Sequence, residues 1–208
     1  MTEIVLVRHG ETELNTAGVF RGRADVALNE RGRTQAEAVA AALSGTPVAA
    51  VFASPMIRAM DTARAVASPH GLGPIVDPAF NNIDLGEWQG REKERVRREQ
   101  PELWRLWKED PDALRVPGGE SLADVRERAY ARTLELVDEH RDSRIVIVSH
   151  RSVAKLLAGA LMGMESGYFW RFYLDNAGYS VFGFNEGAFV MLKWNEACHL
   201  NERTVEYF

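Results

Sequence analysis

Three places in the 208-residue chain put cationic or titratable side chains just past a short apolar run. Ile4 to Val7 leads into Arg8-His9-Gly10, Val48 to Phe52 leads into Ala53-Ser54-Pro55 and then Arg58, and Ile145 to Val148 leads into Ser149-His150. Aliphatic and β-branched runs without alternation read as strands buried on both faces of a mostly parallel sheet. Ligands of such sheets bind beyond the carboxyl ends of the strands. The three junctions therefore predict that Arg8, His9, Arg58 and His150 meet at one end of one sheet. Taken singly, each histidine fits a ring satisfied by hydrogen bonds at a strand end equally well. Together they suit a phosphoryl group: guanidinium forks bind its oxygens and stabilise transition-state charge, while a neutral imidazole attacks phosphorus. Neighbouring arginines also disfavour protonation of His9 and keep its lone pair available. A metal centre is the competing use of two histidines. Flanking arginines are poor company for a divalent cation, and no His-x-His or His-x-x-x-His spacing occurs, so no metal and no other cofactor is expected.

The remaining pattern supplies elements to hold these junctions. Residues 15–25 carry Gly18, Arg21, Gly22 and Arg23 and read as a loop able to reach back over the first strand end. Asn29 is placed to cap a helix in which Ala36, Val39, Ala40 and Leu43 share a face. A second helix follows Pro55 over residues 56–66, and Ile75-Val76 forms a short strand before a loop at residues 81–90. Residues 91–108 are helical and charged, with Leu103, Trp104, Leu106 and Trp107 available for packing. We read 91–114 as a cap inserted into one domain spanning 1–208. Ser121 caps the next helix, whose Leu122, Val125, Ala129, Leu136 and Val137 form a core stripe. Another helix follows His150 over residues 153–162. Residues 179–184 and 188–194 flank Asn185-Glu186-Gly187, a hairpin that adds an antiparallel edge. The expected class is α/β, a mainly parallel central sheet sandwiched by helices, with a helical cap and a C-terminal hairpin.

Composition sets the limits. A hydrophobic share of 46% over this length is enough for a substantial core. The formal net charge of −5 argues against nucleic-acid binding through a broad basic surface, so any anion site is local. The single cysteine, Cys198, cannot form an internal disulfide and suits a reducing cytoplasm; we expect it buried and inert. No basic-then-apolar leader precedes the first strand, and no apolar stretch is long enough to cross a bilayer, so neither export nor membrane association is expected. Trp104, Trp107 and Phe169-Trp170 would seed a homodimer if exposed, although buried core is the role their context favours.

The segment Leu6-Val7-Arg8-His9-Gly10-Glu11-Thr12 with Asn15 resembles the motif of the histidine phosphatase superfamily, in its phosphoglycerate-mutase-like branch. Leu28-Asn29-Glu30-Arg31-Gly32, Phe52-Ala53-Ser54-Pro55 with Arg58-Ala59 and Thr62-Ala63, Pro117-Gly118-Gly119-Glu120-Ser121, Val148-Ser149-His150 and Trp194-Asn195-Glu196-Ala197-Cys198-His199-Leu200 are similar to further segments of that family, in order and nearly end to end. The resemblance implies that His9 is phosphorylated in turnover, that Arg8, Arg58 and His150 hold the phosphoryl group, that Asn15 joins the phosphate pocket, and that no metal takes part. Arg21 falls where the family often places a substrate contact; an ordinary loop charge is the alternative. His199 is expected to bond locally, and His70 and His140 to lie at the surface.

Two positions depart from the family pattern. In Phe80-Asn81-Asn82-Ile83-Asp84-Leu85-Gly86-Glu87-Trp88-Gln89-Gly90 the register puts Asn82 where relatives supply a glutamate general acid, whose loss typically reduces rate by about 10²- to 10⁴-fold. Either Asp84 or Glu87 has taken over, with Asp84 favoured because alternate residues of an extended segment share a side; or the substrate has a good leaving group; or the protein has become a phosphate-binding regulator. Arg151 stands where many relatives have glycine, either adding charge to the pocket or forming an ion pair outside it. These departures count most against a phosphoglycerate mutase-type transferase, the runner-up reading, because reversible transfer needs acid-base help in both directions. The expectation is a metal-independent phosphatase that hydrolyses a small phosphorylated metabolite through phosphohistidine at His9.

Overall fold

The computed structural model describes residues 1–201. Strand β1 (Thr2–Arg8) is apolar on both sides, and successive residues face opposite layers of helix. Ile4 and Leu6 enter one core and Val5 and Val7 the other. The chain continues through α1 (Glu30–Leu43), β2 (Ala50–Ala53), α2 (Ile57–Ala67), β3 (Ile75–Val76), α3 (Lys93–Glu99), α4 (Pro101–Glu109), α5 (Leu122–Glu139), β4 (Arg144–Ser149), α6 (Arg151–Leu161), β5 (Tyr179–Asn185) and β6 (Ala188–Glu196). Among the described residues these strands form a six-stranded sheet in the order β3-β2-β4-β1-β5-β6. β3, β2, β4 and β1 are mutually parallel, and β5 runs antiparallel to β1. Helices α1 and α2 cover the face bearing Val5, Val7, Val146 and Val148, while α5 and α6 cover the face bearing Ile4, Leu6, Ile145 and Ile147. The mainly parallel, helix-flanked sheet is the expected class.

Side-chain chemistry explains where the elements begin and turn. Asn29 accepts from the Gly32 N–H at 2.8 Å and Ser121 from the Asp124 N–H at 3.2 Å, so both expected caps form. Glu186 and Gly187 have φ of 50° and 84°, the two left-handed residues of a tight hairpin turn, and β5 and β6 pair antiparallel on either side. The charged stretch read as one helix is two. Gln100 leaves the helical region at φ −133° and ψ 60°, and Pro101 restarts α4, because the residue before proline is sterically pushed out of the helical conformation.

The turn after β1 is clamped by the start of α1. Asn29 Nδ2 donates to Glu11 Oε1 at 2.8 Å, the Asn29 N–H to the Glu11 carbonyl at 3.1 Å, and the Glu11 N–H to Gln35 Oε1 at 2.9 Å. These bonds draw the two backbones together so closely that a Cβ at Gly32 would overlap the Glu11 carbonyl oxygen, and one at Gly10 would overlap the Gly32 carbonyl oxygen. Gly32→Ala is therefore expected to destabilise the fold by about 1–3 kcal/mol in denaturant titrations, the usual effect of overpacking. Gly45→Ala, where a Cβ meets open space, should leave stability within about 0.5 kcal/mol of the parent.

Candidate active site

The parallel strands end at a common level, and the turns beyond them converge. The Arg8 N–H donates to the Gly178 carbonyl and the His9 N–H to the Ser149 carbonyl, both at 3.0 Å, so the chain past β1 stays fixed between β5 and β4. The His9 carbonyl accepts from the Ala177 N–H at 3.2 Å and Asn176 Nδ2 at 3.1 Å. The Gly10 N–H donates to Thr62 Oγ1 of α2 at 3.1 Å. His9 Nδ1 lies 2.6 Å from the Gly10 carbonyl. A carbonyl only accepts, so Nδ1 carries the proton and Nε2 keeps the lone pair.

His150 sits beside this ring, with centroids 5.1 Å apart and planes at 60°. Its Nε2 is 2.7 Å from Ser54 Oγ, which lies 3.4 Å from Asn81 Oδ1. Ser54 gives its proton to Asn81, which can only accept there, and takes one from His150 Nε2; Nδ1 is thus the lone-pair atom of His150. Arg58, in the first turn of α2, donates to the carbonyls of Ala24 at 2.8 Å and Gly22 at 3.3 Å. Asp25 of the same loop caps α2 by accepting from the Ile57 N–H at 2.9 Å. The loop carrying Arg21 is thereby fastened over the strand ends. Arg8 Nη1 donates to the Leu174 carbonyl at 2.6 Å.

Arg8, His9, Arg21, Arg58, His150 and Arg151 line one pocket, together with Asn82 and Lys93. No Asp or Glu lines it among the described residues. Burial, then Arg58 and Arg8, hold the His9 pKa well below its usual 6.5 against the raising influence of the Gly10 carbonyl. Burial, then Arg58 and His9, do the same for His150. Burial and Arg21 bring Arg58 down to about 10. Both imidazoles are neutral within a field of guanidinium charge, an arrangement suited to a strongly anionic ligand. The mouth is aromatic. Trp107 of α4 packs edge-on against Phe20 at 5.7 Å, Phe169 at 5.7 Å and Trp170 at 4.9 Å. Trp104, Trp107 and Trp170 are half-buried against the core and line the pocket.

Several expected site residues lie elsewhere. Asn15 does not line the pocket. Its Oδ1 accepts from the Thr12 N–H and Oγ1, both at 2.8 Å, and its Nδ2 donates to Asn176 at 3.3 Å, bracing the amide that holds His9. Asn82 Nδ2 donates one N–H to the Gly22 carbonyl at 2.7 Å, and neither its second N–H nor its Oδ1 is an acid group. Asp84 is not on the same side as Asn82. Its Oδ1 accepts from the Gly86 N–H at 2.9 Å and its Oδ2 pairs with Arg23 at 3.4 Å, away from the pocket lining. The alternation rule fails because the segment turns into a short 3-10 helix at Gly86 instead of staying extended. Glu87 is exposed. Cys198 is exposed rather than buried, since the turn after β6 points Ala197 inward and Cys198 outward. His199 bonds locally, Nε2 lying 3.0 Å from the Ala177 carbonyl, and His140 is half-buried against Phe52 instead of at the surface. Sequence reasoning missed Ser54, Asn176 and Lys93. Ser54 sits inside a junction already singled out, so its place there was the available signal, whereas nothing in the local pattern marks Asn176 or Lys93.

The family model of the histidine phosphatase superfamily (branch 1) matches residues 4–197. The chain belongs to that superfamily. It is 38% identical over 206 residues to phosphoserine phosphatase 1 of Hydrogenobacter thermophilus, covering 99% of this chain and 98% of that protein. Among solved structures it resembles Bacillus stearothermophilus YhfR with a TM-score of 0.90 at 28% identity, over 96% of this chain and 99% of that one. A mycobacterial glucosyl-3-phosphoglycerate phosphatase in complex with VO3 aligns with a TM-score of 0.87 at 29% identity, over 94% and 99%. The enzyme is a phosphatase of the histidine-phosphatase type, a phosphomonoesterase.

Because the folded pKa values of His9 and His150 lie below the 6.5 of an unfolded chain, their neutral burial contributes stability that is fully present above about pH 6.5. That contribution is lost as pH falls from there through the folded-state values. NMR titration should find both rings still neutral at pH 6.5, and a midpoint at 6.5 for either would contradict the electrostatic account. Denaturant stability should drop between about pH 7 and pH 5, and by less in a His9→Gln, His150→Gln double variant.

Proposed function

We propose that this phosphatase hydrolyses a small phosphorylated metabolite through a phosphohistidine at His9 Nε2, without a metal. The observation that carries the reading is the tautomer: the Gly10 carbonyl holds the Nδ1 proton and leaves Nε2 as a buried lone pair beside Arg8, Arg58 and His150. In the first step Nε2 attacks phosphorus, the new N–P bond forms, and the bond to the leaving oxygen breaks, its electron pair departing on that oxygen, which takes a proton from solvent water. Arg8 and Arg58 stabilise the equatorial oxygens, whose charge is spread in the transition state. His150 takes up a proton on Nδ1 as the dianion binds, because phosphate charge offsets the neighbouring guanidiniums, and it then donates to a phosphoryl oxygen. In the second step water attacks phosphorus, the N–P bond breaks and its pair returns to Nε2. Water supplies the oxygen and protons of inorganic phosphate.

Arg21 and Arg151 line the same pocket and add positive charge around the ester; Asn15 acts one step back, through Asn176. The relatives named for phosphoserine and for glucosyl-3-phosphoglycerate support a small-metabolite substrate. The lone exposed thiol of Cys198 suits a reducing cytoplasm. His9→Ala should abolish both phosphate release and acid-labile labelling of the protein. Arg58→Ala should retain labelling chemistry but lower kcat by about 10²- to 10³-fold, as loss of a preorganised transition-state donor does. Undiminished release by His9→Ala, or activity abolished by chelators, would overturn the reading; transfer between phosphoglycerates without net release of phosphate would make the protein a mutase.

A further inference from the structure

The leaving-group side of the pocket is built differently from the phosphoryl side. A carboxylic acid normally donates a proton to the departing oxygen, but no Asp or Glu lines this pocket among the described residues. Asn82 stands at the matching position with one amide N–H held by the Gly22 carbonyl, and an amide is no proton donor to a departing alkoxide. Asp84 is held by Arg23 and the Gly86 N–H. His150 lies beside His9, whereas in-line displacement sends the leaving oxygen away from the nucleophile. The other proton-bearing groups are guanidiniums, the Lys93 ammonium, the Ser152 hydroxyl and indole N–H groups, intrinsically far weaker acids than a carboxyl. The remaining wall is largely apolar, formed by Trp104, Trp107 and Trp170 with Phe20, whose rings meet edge to face.

We propose that the pocket is specialised for aryl phosphomonoesters, whose leaving oxygen departs as a stable anion and whose ring lies against the tryptophan wall. This rests on the phosphohistidine reading and adds the substrate class to it. His9 Nε2 bonds to phosphorus, the P–O(aryl) bond breaks, and its electron pair leaves on the phenolate. That phenolate needs no proton in the transition state and takes one from water after release. Hydrolysis of phosphohistidine then proceeds as above. Arg21, Lys93 and Arg151 in the pocket lining favour the departing anion, and aromatic contacts of the kind already present among these residues, with centroids about 4.5–7 Å apart, are open to a ring on the substrate. The specialisation sets this chain apart from its phosphoserine-named relative, whose alkoxide leaving group is strongly basic.

The test is a comparison of kcat/KM for 4-nitrophenyl phosphate, phenyl phosphate, acetyl phosphate, phosphoserine and glycerol 3-phosphate with the unaltered protein. A steep fall with leaving-group basicity is expected, with the two alkyl esters at least about 10²-fold below phenyl phosphate. Asn82→Glu should raise the alkyl rates and flatten the series. Acetyl phosphate, a good leaving group without a ring, should turn over with a higher KM than the aryl esters, and Trp107→Phe should raise KM for the aryl esters alone. Alkyl esters used within about tenfold of phenyl phosphate would overturn the proposal while leaving the phosphatase reading intact. No hydrolysis of any ester, with no phosphoryl group on His9 after 4-nitrophenyl phosphate, would remove both.

Discussion

Everything at this site depends on keeping two imidazoles neutral in a field of guanidinium charge. Burial disfavours their protonated forms, and Arg58 and Arg8 disfavour them further. The same arginines have to stay charged and ordered without being neutralised by carboxylates inside the pocket. Arg58 achieves this through the carbonyls of Ala24 and Gly22, which fix the fork by hydrogen bonds yet carry no net charge. The positive field consequently remains available to an anion, and the His9 Nε2 lone pair is in place before one arrives.

The sheet makes this geometry cheap to maintain. β1, β4 and β2 are parallel and adjacent, so the turns carrying His9, His150 and Arg58 emerge side by side at one edge of the strands. Glycine at positions 10 and 32 lets α1 approach the first of those turns until backbone meets backbone. Ser54 and Asn176 then set what the strand ends alone leave open, the tautomer of His150 and the carbonyl of His9. The aromatic residues of α4 and the 168–172 segment close the outer side. Lys155 lies fully buried beneath them, 5.1 Å from the Phe169 ring centroid and 5.2 Å from that of Trp170, a cation against the edge of the wall.

Local patterns went furthest where local physics decides the outcome. The capping asparagine and serine, the tight hairpin turn and the aliphatic strands each follow from interactions within a few residues. The split at Gln100–Pro101 was equally local and was overlooked because the charge pattern continues across it. Asp84 shows the opposite limit. Its side is set by Arg23, some sixty positions earlier, and by the Gly86 N–H, neither of which a period of two takes into account. Cys198 turned outward because Ala197 is the residue its turn places in the core.

What the sequence determined by itself is therefore the inventory: buried parallel strands, the groups delivered at their ends, and an amide rather than a carboxyl at position 82. Those follow from side-chain type and periodicity. Which nitrogen of each imidazole bears the proton, which carboxylates are kept out of the pocket, and which tryptophans wall it were decided only by the tertiary structure. Each depends on hydrogen bonds and packing between residues distant in the chain, such as Ser54 with His150 and Trp107 with Trp170, and long-range contacts of that kind leave no periodic trace in the order of the residues.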